Sequence, residues 1–170
     1  MICWWNSRVA EQRGAWLIPP PVDIAAAVSA ERVLILPGTP LRALAIAALA
    51  DTATSDLPVH DRVAFITAVI EREEVTPTAI GRGIAIPHAR SPVLTRCRIV
   101  IGIFPDGVRW GASDGQDVHL ALLLAASEAD HGGHLRLMAA LALRLRRPGL
   151  AQRLRTMTDH AAIVAAMLAV

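Results

Sequence analysis

The run Val118-His-Leu-Ala-Leu-Leu-Leu-Ala125 constrains the fold more than any other stretch. A strand with one wet face alternates apolar and polar residues. This run is apolar on both alternations except at His119, so it reads as a central strand covered on both faces. Three further runs read as strands: Arg32–Leu36, closed by Pro37-Gly38; Ile84–Ile86; and Arg98–Phe104, bounded by Pro105-Asp106-Gly107. Helical patterns separate them, so the chain is expected to be α/β, with helices covering a sheet.

The helices are placed by caps and periodicity. Asp23–Val28 reads as a short helical turn. Thr39 is expected to cap a helix with Pro40 at its first position and a stripe of Leu41, Leu44, Ala45, Ala48 and Leu49. Pro58 opens a second helix, whose broad apolar face is Val59, Val63, Phe65, Ile66, Val69 and Ile70. Leu135, Met138, Ala139, Leu141, Ala142 and Leu145 predict a long helix stopped by Pro148-Gly149. Two helical segments follow, near 150–156 and 159–169.

A chain of 170 residues suits one domain. Residues 1–21 read as an extension before the domain at 22–170, with Pro19-Pro20-Pro21 at the boundary. They hold three of the four Trp residues, and are flexible, packed on a neighbour, or the product of a start codon assigned too far upstream. They lack the order of charge and apolar core of a signal peptide.

With 54% hydrophobic and 19% charged residues, a globular fold is expected. Every basic residue is Arg, and the formal charge is only +2. Arg144-Leu-Arg-Arg147, Arg153 and Arg155 lie in apolar helical patterns and read as solvated helix faces, so no nucleic-acid role is expected. No apolar stretch reaches the roughly 18 residues of a membrane helix, so no direct membrane insertion is expected. Cys3 and Cys97 are too few for a disulfide framework, which suits a reduced, cytoplasmic setting.

The chemistry concentrates in Gly81-Arg82-Gly83-Ile84-Ala85-Ile86-Pro87-His88-Ala89-Arg90. Neutral imidazole is a competent nucleophile near pH 7. Arg82 and Arg90 offer planar cationic forks suited to phosphate oxygens. Pro87 stiffens the exit of the strand and presents His88 at its end. Phosphoryl transfer needs little beyond a positioned nucleophile and positive charge around it. Spacing alone leaves two readings of His88 open: a phosphoryl carrier and an ordinary turn histidine.

Other residues are equally two-sided by spacing. Arg72 is a phosphate ligand or part of a salt-bridged helix end with Glu71, Glu73 and Glu74. Thr76 and Thr78 either donate hydroxyl hydrogen bonds to a phosphate or cap turns around Pro77. His134, after Gly132-Gly133, opens the long helix, where backbone N–H groups favour an anion; it orients His88 or lies at the surface. His131 and His134 have i, i+3 spacing, but no further ligands of familiar spacing complete a metal site, and no metal or cofactor is expected. His119 reads as a core or sheet-edge histidine, and His60 and His160 as solvent positions.

The whole run Glu71–Arg90, with Arg72-Glu73 upstream and Ile86-Pro87-His88-Ala89 at its end, resembles the active-site segment of enzyme IIA domains of the phosphoenolpyruvate:sugar phosphotransferase system. The resemblance is to the fructose/mannitol type, which includes the bacterial nitrogen-regulatory enzyme IIA. Asp114-Gly-Gln-Asp-Val-His-Leu120 and His134-Leu135 fall in the family's order, and the likeness spans about residues 22–170. It implies a mixed β-sheet flanked by α-helices. It implies that His88 accepts a phosphoryl group from HPr or its nitrogen-branch counterpart, with His134 as second histidine and Arg72 near the phosphate. Arg82 stands where a small polar residue is common, and Asp117 where Pro is frequent. Residues 1–21 have no counterpart.

Two roles are then expected. A regulatory, nitrogen-type protein changes partners with its phosphorylation state. A sugar-specific enzyme IIA passes the group to a cysteine of an enzyme IIB. No IIB or membrane IIC segment lies within the 170 residues, which favours regulation.

Overall fold

The computed structural model describes residues 23–130 and 132–169. The expected extension at 1–21 lies outside them.

A six-stranded mixed sheet organises the domain. Its strands are β1 (Val33–Ile35), β2 (Ala79–Gly81), β3 (Ile84–Ala85), β4 (His88–Ser91), β5 (Arg98–Val108) and β6 (Val118–Ser127). The order is β1-β5-β6-β3-β2, and β4 also pairs with β6. β1 runs parallel to β5, β5 antiparallel to β6, and β3 and β4 parallel to β6. As the sequence predicts, β6 is central and fully covered: Leu120 to Ala126 are buried on both alternations.

The two faces have separate cores. Ile84, Ile86, Ile99, Ile101, Leu120, Leu122 and Leu124 point to one side. There they meet α4 (Gly133–Leu145), α5 (Leu150–Arg155) and α6 (His160–Leu168), through Leu137, Leu141, Leu154 and Ile163. Ala85, Ala89, Val100, Phe104, Ala121 and Leu123 point to the other. They meet α2 (Arg42–Ala53) and α3 (Val59–Val75), which follow the short α1 (Ile24–Ala27) in the chain, through Ile46, Leu49, Phe65 and Val69. The period of two along each strand assigns the faces. Gly102 lets α2 approach, because a Cβ there would lie 2.6 Å from Leu49 Cδ2.

Several elements depart from expectation. α2 starts at Arg42, with Leu41 rather than Thr39 at its N-cap. Gly38 N donates to Asp106 Oδ2 and Arg42 Nη1 to the Trp110 carbonyl, which ties residues 38–42 to the far end of β5. Leu41, Leu44, Val59 and Val63 are exposed rather than core. α2 is apolar nearly all round, so periodicity could not choose its buried face. Packing on the sheet chose Ala45, Ile46, Leu49, Ala50 and Ala53. The turn expected at Pro105-Asp106-Gly107 is a register shift inside β5, which continues to Val108. Arg144 and Arg147 are not idle surface charges. Arg144 donates to the carbonyls of Met167 and Leu168, and Arg147 to that of Ala169, satisfying the C-terminal end of α6.

Candidate functional site

His88 is built into the sheet instead of following it. Ile84 lies opposite Leu120 and His88 opposite Leu124, the same offset. β3 and β4 are thus one extended path along β6, divided at Pro87, which has no N–H to give the ladder. The path continues through Pro87 because its carbonyl still accepts from Leu124 N at 2.9 Å. Alternation puts His88 on the α4–α6 side, following Ile84 and Ile86.

The imidazole is half-buried, and its Nδ1 lies 2.9 Å from the Ile86 carbonyl oxygen. A carbonyl only accepts, so this bond places the proton on Nδ1 and leaves the lone pair on Nε2. His134, in the first turn of α4, faces His88 with ring centroids 5.3 Å apart and planes inclined by 51°. Asp130 holds that turn: its Oδ1 accepts from Gly133 N at 2.7 Å. His134 Nδ1 is buried without a hydrogen-bond partner. Burial, then the neighbouring His88 and Arg90, hold the His134 pKa below its ordinary 6.5. His134 is therefore neutral at pH 7, with one N–H to donate and one nitrogen to accept.

Arg90 shares the His88 face by its i+2 position and donates to the Glu128 carbonyl at 3.3 Å. Arg72 is half-buried near the end of α3, where its Nη1 donates to the Thr76 carbonyl at 3.2 Å. It makes no ion pair with Glu71, Glu73 or Glu74 among the described residues, so the salt-bridged helix end expected as an alternative is not formed. Its hydrogen bonds do not reach either histidine. Arg82 has a left-handed φ of 57°, with its N–H bonded to Asp114 Oδ2 at 2.7 Å and its side chain exposed. That carboxylate also accepts from Gln116 N, and the two bonds, Arg82 first, pull its pKa down. A Cβ at Gly81 would come within 2.9 Å of the same oxygen, so the β2–β3 turn is shaped around Asp114.

Thr78 corrects the sequence reading. Its hydroxyl is buried and donates to Glu73 Oε2 at 2.7 Å, so that proton is taken and does not meet a phosphate. The residue missed was Glu73 itself, which is 1% exposed in the middle of a charged run. The signal was its spacing: Phe65, Val69 and Glu73 recur every four residues on the buried stripe of α3.

Both histidines of the pair are half-buried. A cavity of about 390 Å³ beside the first turn of α4 is lined by Cys97, Asp130 and Arg136 and contains neither ring. A half-buried imidazole with a neutral ring and a cation beside it is a nucleophile set among hydrogen-bond donors.

The family model for the phosphoenolpyruvate-dependent sugar phosphotransferase system, EIIA 2, matches residues 29–169. The chain belongs to this family. A nitrogen regulatory protein of Bradyrhizobium diazoefficiens is 32% identical over 109 residues, covering 64% of this chain and 71% of that protein. A fructose-specific EIIABC component of Bacillus subtilis is 35% identical over 106 residues, or 62% of this chain but only 17% of that protein. The fold is similar to the crystal structure of the nitrogen regulatory protein IIA-Ntr from Neisseria meningitidis. The TM-score is 0.76 at 19% identity, covering 85% of this chain and 98% of that one. No helix among the described residues is long and apolar enough to cross a membrane.

Proposed function

We propose that this EIIA domain is a phosphocarrier whose acceptor atom is Nε2 of His88. The observation that carries the proposal is the bond from Nδ1–H to the Ile86 carbonyl, which leaves Nε2 as the free nucleophile beside a second imidazole. The donor is a phosphohistidine on HPr or a nitrogen-branch HPr-like protein. Its N–P bond breaks as the His88 Nε2–P bond forms, and the donor imidazole leaves neutral. Nδ1 of His88 keeps its proton throughout. The ring becomes cationic on phosphorylation, which strengthens the Nδ1–H bond to Ile86.

The equatorial oxygens carry the charge in transit. His134, neutral, donates one N–H to them without having to lose a proton of its own. Arg90 supplies positive charge on the same face, and Arg72 does so from the end of α3, exchanging its Thr76 carbonyl for the phosphate. Arg82, exposed on its turn, meets the incoming partner.

The role we favour is regulatory, of the nitrogen type, because a relative bearing that name is matched over most of its length. The second reading, transfer to an enzyme IIB cysteine for sugar uptake, is favoured by the identity to a fructose-specific component. In both the protein works in the cytoplasm.

Phosphoenolpyruvate, enzyme I and HPr, or the nitrogen-branch pair, should add one acid-labile phosphate per chain, absent in His88→Ala. Stable incorporation into His88→Ala would remove His88 from its role.

A further inference from the structure

Glu73 is a buried carboxylate that the phosphoryl chemistry does not use. It accepts three hydrogen bonds: from Thr78 N at 2.7 Å, Thr78 Oγ1 at 2.7 Å and Trp110 Nε1 at 2.8 Å. No cation pairs with it among the described residues. Trp110 is 1% exposed and packs against Phe104, with ring centroids 6.2 Å apart. The carboxylate therefore joins the end of α3 to the chain beyond β5 and to the segment entering β2.

The bonds continue toward the site. The Thr78 carbonyl accepts from Ile86 N at 3.1 Å, and the Ile86 carbonyl accepts from His88 Nδ1 at 2.9 Å. Each link fixes the next. Glu73 holds both the N–H and the hydroxyl of Thr78, which aims its carbonyl at Ile86. The Ile86 carbonyl lies in the next peptide unit, but Pro87 keeps Ile86 extended, so holding the Ile86 N–H also orients that carbonyl, which selects the His88 tautomer. We infer that Glu73 is a positioning residue for His88, acting through Thr78 and Ile86 to keep the proton on Nδ1 and the lone pair on Nε2. The inference deepens the phosphocarrier reading and rests on it only for its kinetic consequence.

The test separates the two. In protein labelled with ¹⁵N-histidine and held unphosphorylated above the histidine titration range, the His88 tautomer is read from its ring nitrogen shifts. The wild type is expected to be mainly the Nδ1–H form. Glu73→Ala should lower that population while circular dichroism stays native. Glu73→Gln should restore it: the amide oxygen still accepts from the two N–H donors, and the Thr78 hydroxyl turns to accept from the amide NH₂. Phosphoryl transfer should follow the tautomer. Glu73→Ala is expected to lose about tenfold in kcat, with KM for the phosphorylated donor unchanged, as misplacement of a reacting group does. Trp110→Phe and Thr78→Val each delete one donor to the carboxylate and should shift the tautomer in the same direction by less. They serve in place of Glu73→Ala where that variant fails to fold. A folded Glu73→Ala, or folded Trp110→Phe and Thr78→Val, with the wild-type tautomer population would overturn the inference. A wild-type protein that takes no phosphate would sink the phosphocarrier reading and leave the tautomer result standing.

Discussion

His88 and His119 stand on neighbouring strands and look alike at first. Both are half-buried, and both bond a backbone carbonyl through Nδ1, Ile86 at 2.9 Å and Phe104 at 3.0 Å. What differs is the company of the other nitrogen. The His119 ring lies over Gly107, where a Cβ would come within 3.1 Å of Cε1 and 3.3 Å of Nε2. The Gly107 backbone thus lies close to that nitrogen, with room for no more than a glycine. The His88 ring faces another imidazole, with Arg90 on the same face. A carbonyl bond to Nδ1 is thus the ordinary way for a sheet histidine to satisfy itself. A second titratable ring beside the first is what sets His88 apart, and the role proposed for His88 rests on it.

The comparison is most exposed to failure at His134. If the second ring makes the difference, His134→Ala should slow phosphoryl transfer to His88 by about 100-fold, the low end for a lost proton-bearing catalytic group. The fold should persist, because His134 is half-exposed and its Nδ1 makes no hydrogen bond to lose. Rapid-quench transfer from phosphorylated HPr measures it. An unchanged rate would put His88 and His119 back in one class.

A smaller effect is expected on stability. The native pKa of His134 lies below its ordinary 6.5, through burial first and then His88 and Arg90. As pH falls through about 6.5 the unfolded chain therefore binds the proton before the native one does. Stability from this group is complete above 6.5 and is lost on acidification toward the lower native value. Urea midpoints between pH 7.5 and pH 5 should fall more steeply for the wild type than for His134→Gln. Parallel curves would mean that His134 is no more desolvated than an ordinary surface histidine.

The sequence was legible where one physical rule acted alone. β6 was recognisable because only a strand covered on both faces can be apolar on both alternations, and Leu120 to Ala126 are buried accordingly. His88 and His134 were legible as candidates from residue type and setting. Their meeting was not, because it depends on α4 packing over β4 and β6, a contact between segments over forty residues apart. α2 misled for the opposite reason: with apolar residues nearly all round, Leu41 and Leu44 looked as fit for the core as Ile46 and Ala50. Glu73 was hidden by its neighbours Glu71, Arg72 and Glu74, which made a buried carboxylate look like one more solvated charge. Thr78 stayed two-sided for the same reason, since a hydroxyl near a phosphate site and a hydroxyl bonded to a buried carboxylate have the same sequence.

The smallest expected effect tests the other half of the comparison. His119→Gln should leave transfer to His88 within about twofold, as substitutions away from a reacting centre generally do. Its amide nitrogen can still donate to the Phe104 carbonyl that now takes Nδ1, so the strand pair should keep its register. The choice of Gln matters, because Ala would leave that carbonyl without its partner and mix a structural loss into the rate. A large fall in transfer with Gln, at unchanged stability, would mean that the ring over Gly107 takes part in the chemistry. The walled and the open histidine would then have to be read as one site spanning β4, β5 and β6.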